Sequence, residues 1–194
     1  SRDKLVQLSL YEQLIEATFG EKIDGVSGGS SVMVPLLLQG QVPQGVNHFR
    51  IGETLFFGRN LFTGKTISKM ADDVVRLHTE IIEITEKPKV PYGTLDENPS
   101  GETFEIDEAE FGQTQRRGIL DAGLLDIGKP SFLEPVDKKL EVIGGSSDML
   151  VVGLDDARKK YAVGDTISFK LDYMAALGIM NSNYVEKRFL HEDD

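Results

Sequence analysis

The chain has 194 residues, a formal net charge of −11, 40% hydrophobic and 27% charged residues, and no cysteine, which is enough folded-type sequence for one large domain or two small ones. The missing thiols exclude a disulfide scaffold, a thiol nucleophile and a cysteine-ligated zinc; three scattered histidines argue against a histidine-rich metal centre. The acidic balance argues against nucleic-acid and anionic-membrane partners, and with no apolar run near ~20 residues and no opening signal peptide the expected setting is cytoplasmic.

The sequence starts at Ser1 and runs straight into a helical pattern, which raises the expectation of a piece of a longer protein. Residues 3 to about 19 place Leu5, Leu8, Leu14, Ile15 and Phe19 at helical spacing. They predict an amphipathic helix, capped by Ser1 or Asp3 and stopped at Gly20. Residues 23–26 read as a short strand, 27–31 (Ser-Gly-Gly-Ser-Ser) as a small-residue turn, and 32–38 as a short helix. Strand, turn and helix in that order are the grammar of an α/β unit. After a polar loop over 39–45, residues 46–51 predict another strand and 52–57 another helix start. From Asp73 the pattern turns β: 74–85 is long and β-branched, with Pro88 and Pro91 as stops. Residues 115–120, 140–143, 149–154 and 166–171 predict further strands, and 163–165 a turn. Residues 94–113 carry seven acidic residues and no basic one, which predicts a solvated, mobile loop. The change of style places a domain boundary near 60–72.

Four constellations carry chemistry. In 27–31, backbone N–H groups and hydroxyls suit an anion; an ordinary serine-capped turn fits equally well. No Gly-Lys-Ser/Thr follows, so this is not a nucleoside-triphosphate loop. In 47–53, Arg50 offers a fixed cation and Gly52 bare amides, against the alternative of a surface Arg and a tight turn. Two strand-end anion sites in succession favour a phosphate at the C-terminal rim of a barrel sheet. Gly144-Gly145-Ser146-Ser147-Asp148-Met149 is either a hairpin or a ligand-facing loop. Tyr184 is either a packing residue or a phenol offered to a phosphate. His78 reads as structural, His191 lies in an acidic tail, and no Ser-His-Asp order emerges.

SGGSS at 27–31, GQVPQGVNHFRIGETLFFGR at 40–59, EIIEITEKPKVP at 80–91, QRRGIL at 115–120, EVIGGSSDMLVV at 141–152, VGDTISFKLDY at 163–173 and NSNYVEK at 181–187 carry a further signal. Together, over nearly the whole chain, they resemble the C-terminal half of the pyridoxal-phosphate-dependent alanine racemase family, in particular its ornithine-racemase-like branch. The VNHFRIGE block is the most specific piece. The resemblance implies an α/β plus β fold: the end of a (β/α)8 TIM-type barrel over 1–65, then a mainly antiparallel C-terminal β domain over 66–194. It implies pyridoxal 5'-phosphate as cofactor, an amino-acid substrate and a homodimer with a shared active site. Ser31, with Ser30 beside it, matches the hydroxyl that holds the cofactor phosphate. Gly52 and Glu53 match the pair whose amides hold the same group, Arg50 the arginine beside the pyridine nitrogen, and Tyr184 a phenol near the phosphate. Ser147 and Asp148 match the pair that the partner subunit places near the substrate carboxylate.

Two departures follow. The family's Schiff-base lysine belongs to the start of the barrel, outside this sequence, so the chain alone is expected to be inactive. The family's second base is a Tyr in Gly-Tyr-x-Asp; here the place reads Gly123-Leu124-Leu125-Asp126, and Leu124 takes no proton. The ornithine-type branch lacks this Tyr as well, and Asp121, Asp126 and Tyr173 are the remaining candidates. The leading expectation is an amino-acid racemase, with a basic substrate such as ornithine. The alternatives are a non-catalytic module that binds phosphate or pyridoxal phosphate, and another enzyme of the same fold, such as a decarboxylase or aldolase.

Overall fold

A computed structural model describes residues 2–90, 92–93 and 107–190. The chain divides into two compact units, Ser1–Val74 and Val75–Asp194.

The first unit opens with helix α1 (Arg2–Phe19), which ends at Gly20 in the left-handed region at φ +72°. Strand β1 (Ser27–Ser30) leads through a 3-10 turn (Ser31–Met33) into α2 (Val34–Leu38). Strand β2 (His48–Arg50) leads into α3 (Glu53–Phe57). β1 and β2 pair in parallel, Ser27 opposite His48 and Ser30 opposite Arg50. The strand is therefore the Ser-Gly segment itself, and 23–26, the expected strand, is loop. The reason is steric and polar. A Cβ on Gly28 would lie 2.4 Å from Val46 Cγ1 and 2.6 Å from Phe49 Cε1, so glycine lets β1 lie flat against that pair. The backbone before it is satisfied by side chains instead of a ladder. Asn47 Oδ1 accepts from Val26 N (2.9 Å), Asn47 Nδ2 donates to the Asp24 carbonyl (3.0 Å), and Glu16 Oε1 accepts from Ile23 N (2.8 Å).

Leu5, Val26, Met33 and Val46 form this unit's core, with Leu8, Ile23, Leu36, Val42 and Phe49 packed against it. The expected apolar face of α1 is buried over only its first turns: Leu14, Ile15 and Phe19 are exposed. Further along, the inward side of the helix carries Ser9, Glu12 and Glu16. Ser9 and Glu12 lie against Gly45, and Glu16 caps Ile23, so polar groups cover that stretch.

The second unit is a six-stranded antiparallel sheet in the order β5-β8-β3-β4-β7-β6. Its strands are β3 (Arg76–Pro88), β4 (Thr114–Leu120), β5 (Leu133–Pro135), β6 (Glu141–Gly145), β7 (Leu150–Gly153) and β8 (Thr166–Leu171). Period-2 alternation buries Leu77, Thr79 and Ile81 on β3 and Ile167, Phe169 and Leu171 on β8. β3 pairs with β8 over 76–80 and with β4 over 81–88, with a register shift between Ile81 and Glu83. β6 packs on the 3-10 turn Pro130–Phe132 that feeds β5, so the two sheet edges approach and the sheet is nearly closed, like a barrel. Helix α4 (Leu124–Ile127) and helix α5 (Tyr173–Asn181) pack on each other, with Gly178 close against the Asp126 carbonyl. Residues 94–106 of the acidic segment, and His191, lie outside the described residues. Its last part, from Asp107, forms a 3-10 turn (Glu108–Glu110) capped by the Asp107 side chain.

Candidate functional site: two strand ends and one hydroxyl

The parallel pairing of β1 and β2 puts their C-terminal ends side by side, and the chemistry lies just beyond them. Ser31 follows β1 directly and is 4% exposed. Its Oγ accepts from the N–H of Gly52 (3.3 Å) and from the N–H of Thr54 (3.2 Å). The two segments flagged separately in the sequence thus meet at one atom. A hydroxyl has two acceptor positions and one proton. Both acceptor positions of Ser31 are taken by the backbone, and its proton has no acceptor among the described residues. That leaves a donor for an outside oxygen, next to two backbone amides. A phosphoryl oxygen can accept from this hydroxyl.

The bond from Thr54 to Ser31 was not expected from the sequence. Thr54 is 1% exposed, and its own hydroxyl donates to the Arg59 carbonyl (3.1 Å), fixing the start of α3. The only signal for it is a hydroxyl residue two places after Gly52. Ser30 ends β1 opposite Arg50 and is exposed. Arg50 ends β2, is exposed, and donates from Nη1 to Ser27 Oγ (3.3 Å).

The second unit gathers a different group. The turn after β6 is closed by Ser146 N donating to the Met149 carbonyl (2.8 Å). It is tied to α4 by Leu124 N to Ser146 O (2.9 Å) and Leu125 N to Ser147 O (3.0 Å). A Cβ at Gly123 would lie 2.3 Å from both Ser147 O and Asp148 C, so only glycine permits this approach. Leu124, Ser147 and Asp148 are therefore neighbours on one braced turn. Ser147 Oγ donates to Asp148 Oδ2 (2.8 Å), and both residues are exposed.

The candidates for a replacement base are otherwise engaged. Asp126 accepts from Gly123 N (3.3 Å) and from Ser182 Oγ (3.1 Å). Asp121 accepts from the Thr79 hydroxyl and from Glu80 N (2.8 Å). Tyr173 opens α5. Tyr184 is 97% exposed, and its N–H donates to Ser182 Oγ (3.2 Å). His78 Nδ1 bonds Ser168 Oγ (2.9 Å) across β3 and β8, the structural role expected of it. The groups whose titration is clearly displaced lie elsewhere. Lys89 is pushed up by its bond to Glu110, Asp137 is held down by the Arg158 N–H, and burial pushes the Tyr161 phenol up. Among the described residues no cluster of three or more His, Asp or Glu could hold a metal, and no helix is long and apolar enough to cross a membrane.

No family model matches the chain. It is 34% identical to ornithine racemase of Acetoanaerobium sticklandii over 188 residues, 97% of this chain and 52% of that protein. It is 33% identical to lysine racemase of Thermotoga maritima over 187 residues, 96% of this chain and 51% of that protein. The chain thus spans about half the length of the curated relatives it matches. In fold it is similar to the biosynthetic alanine racemase from Pseudomonas aeruginosa, with a TM-score of 0.51 and 16% identity over 95% of this chain and 52% of that one.

Proposed function

The chain belongs to the alanine racemase family, and from that premise we propose that it supplies about half of an amino-acid racemase dependent on pyridoxal phosphate. In this reading 1–65 are the last part of a (β/α)8 barrel and 66–194 its β domain. The intact protein is cytoplasmic and homodimeric. The names of its relatives favour a basic amino acid as substrate, ornithine or lysine.

The observation that carries the reading is Ser31 Oγ held between the amides of Gly52 and Thr54. The Ser31 hydroxyl would donate to the cofactor phosphate, with the Ser30 hydroxyl and the Glu53 amide beside it, while the amides of Gly52 and Thr54 hold Ser31 Oγ in place. Arg50 would donate to the pyridine nitrogen. A guanidinium stays protonated at any physiological pH, so it holds that nitrogen as an acceptor and keeps it without a proton. Bound pyridoxal phosphate supplies an electron sink for the α-carbon when its proton leaves. Ser147, oriented by Asp148, would reach the substrate carboxylate from the partner subunit. Leu124 neither gives nor takes a proton, so a group other than this position serves the second face. The chain by itself lacks the lysine that would hold the cofactor covalently and is inactive alone.

The test is chiral chromatography of the intact protein with pyridoxal phosphate and L-ornithine, L-lysine or L-alanine. Appearance of the D-form of a basic amino acid is expected; no racemisation of any amino acid overturns the reading. Leu124 favours one second reading, a non-catalytic module that keeps the phosphate corner. It predicts visible absorbance from bound pyridoxal phosphate with no turnover. Release of carbon dioxide or an aldehyde would instead mark a decarboxylase or aldolase.

A further inference from the structure

We infer that Ser27 is the positioning residue for Arg50, an inference that rests on the racemase reading above. The two side chains belong to paired strands, Ser27 at the start of β1 and Arg50 at the end of β2. Arg50 Nη1 donates to Ser27 Oγ at 3.3 Å, and among the described residues this is the guanidinium's one hydrogen bond. No carboxylate pairs with Arg50 there. The identity of the partner matters chemically. An arginine has five N–H donors and a long stem with many rotamers, and it does useful work at a planar ring only when its plane is fixed. A carboxylate would fix that plane but would also neutralise the charge and compete for the donors. A serine hydroxyl takes one donor and adds no charge. The remaining donors stay free for a neutral acceptor, and the full positive charge stays at the strand end.

The placement separates this role from that of Ser31. Ser31 is buried and its hydroxyl accepts from the backbone, whereas Ser27 is exposed and its hydroxyl accepts from Arg50. Replacing Ser27 therefore disturbs the orientation of Arg50 and leaves the phosphate corner intact. With the guanidinium free to rotate, the pyridine nitrogen would be less firmly kept unprotonated, and the cofactor's light absorption would become sensitive to pH over a different range.

Two measurements test this. In the 194-residue chain, the side-chain 15N signals of Arg50 report rotation of its guanidinium. Ser27→Ala should speed that rotation, and Ser27→Thr, which keeps the hydroxyl, should restore the slower behaviour. In the intact protein loaded with pyridoxal phosphate, Ser27→Ala should shift the pH titration of the visible absorbance and lower kcat by about two- to tenfold with KM unchanged. Ser27→Thr should track the unsubstituted protein in both. If Ser27→Ala leaves the Arg50 signals and the absorbance titration unchanged while Arg50→Lys shifts the titration, the inference is overturned and the racemase reading stands. If the unsubstituted intact protein develops no visible absorbance with pyridoxal phosphate, the racemase reading falls and takes this inference with it.

Discussion

The two units differ in how much of their apolar surface these 194 residues cover. In the β unit, Ile81, Leu120, Leu150, Val152 and Phe169 are completely buried, and six strands supply one continuous inner face. In the α/β unit the core is small, and Val6, Leu10, Leu14, Leu38, Leu55 and Phe56 remain exposed around a sheet of only two short strands. An isolated pair of parallel strands contributes little stability of its own. The contrast teaches where each kind of residue is spent. The β unit invests in its own cohesion and uses its aspartates as caps. The α/β unit concentrates hydroxyls, amides and a cation at the strand ends.

The largest expected effect is on cohesion. Phe169→Ala should cost the β unit about 3–5 kcal/mol, because a fully buried aromatic leaves a cavity that the sheet fills poorly. Amide hydrogen exchange should quicken across β3 and β8 and stay unchanged in α1; equal quickening in both units would mean that the contrast between them is false. Next in size is Ser31→Ala, which leaves the N–H groups of Gly52 and Thr54 without their acceptor at a buried position, a cost of about 1–3 kcal/mol. Exchange should rise at those two amides first, with the β unit silent. The smallest is a pH effect at Asp137. N–H groups of Arg158 (2.9 Å) and Lys139 (3.1 Å) hold its carboxyl below the usual range. A lowered folded value means that this stabilisation is present above the unfolded carboxyl's pKa of about 4 and fades as pH falls through the lower folded value. The difference in urea midpoint between the unsubstituted chain and Asp137→Asn should therefore be widest near neutral pH and shrink below about pH 4.

How much of this could be read from residues alone follows the same division. The β unit was legible because alternation survives in short pieces: Ile167, Phe169 and Leu171 announce β8 without help. Its three-residue β5 and four-residue α4 are too short to show a period. In α5, Tyr173–Asn181, apolar residues occur on every side, so a face could not be picked out, although Asp172 caps the helix through Met174 N and Ala175 N. The α/β unit was harder. Ser and Gly are poor strand formers, and the Ser27–Ser30 segment is extended where it pairs with β2 and Gly28 lies against Val46 and Phe49. The sequence puts Ser31 and Gly52 just past successive strands, and a hydrogen bond joins them in the structure. That the Thr54 amide also bonds Ser31 depends on the first turn of α3, and no spacing rule singles it out.

Strand β3 is, among the described residues, the one strand paired into both halves of the larger sheet. Residues 76–80 bind β8, and 81–88 bind β4. During synthesis these partnerships become available at different times. The ladders joining β3 to β4, β4 to β7 and β7 to β6 are complete in sequence once Gly153 has emerged, whereas the first five residues of β3 wait for residues 166–171. A nascent chain can therefore seal one side of this seam early. The other side stays an open edge until residues 166–171 have followed, and over that interval it is the stretch most exposed to pairing with the wrong partner.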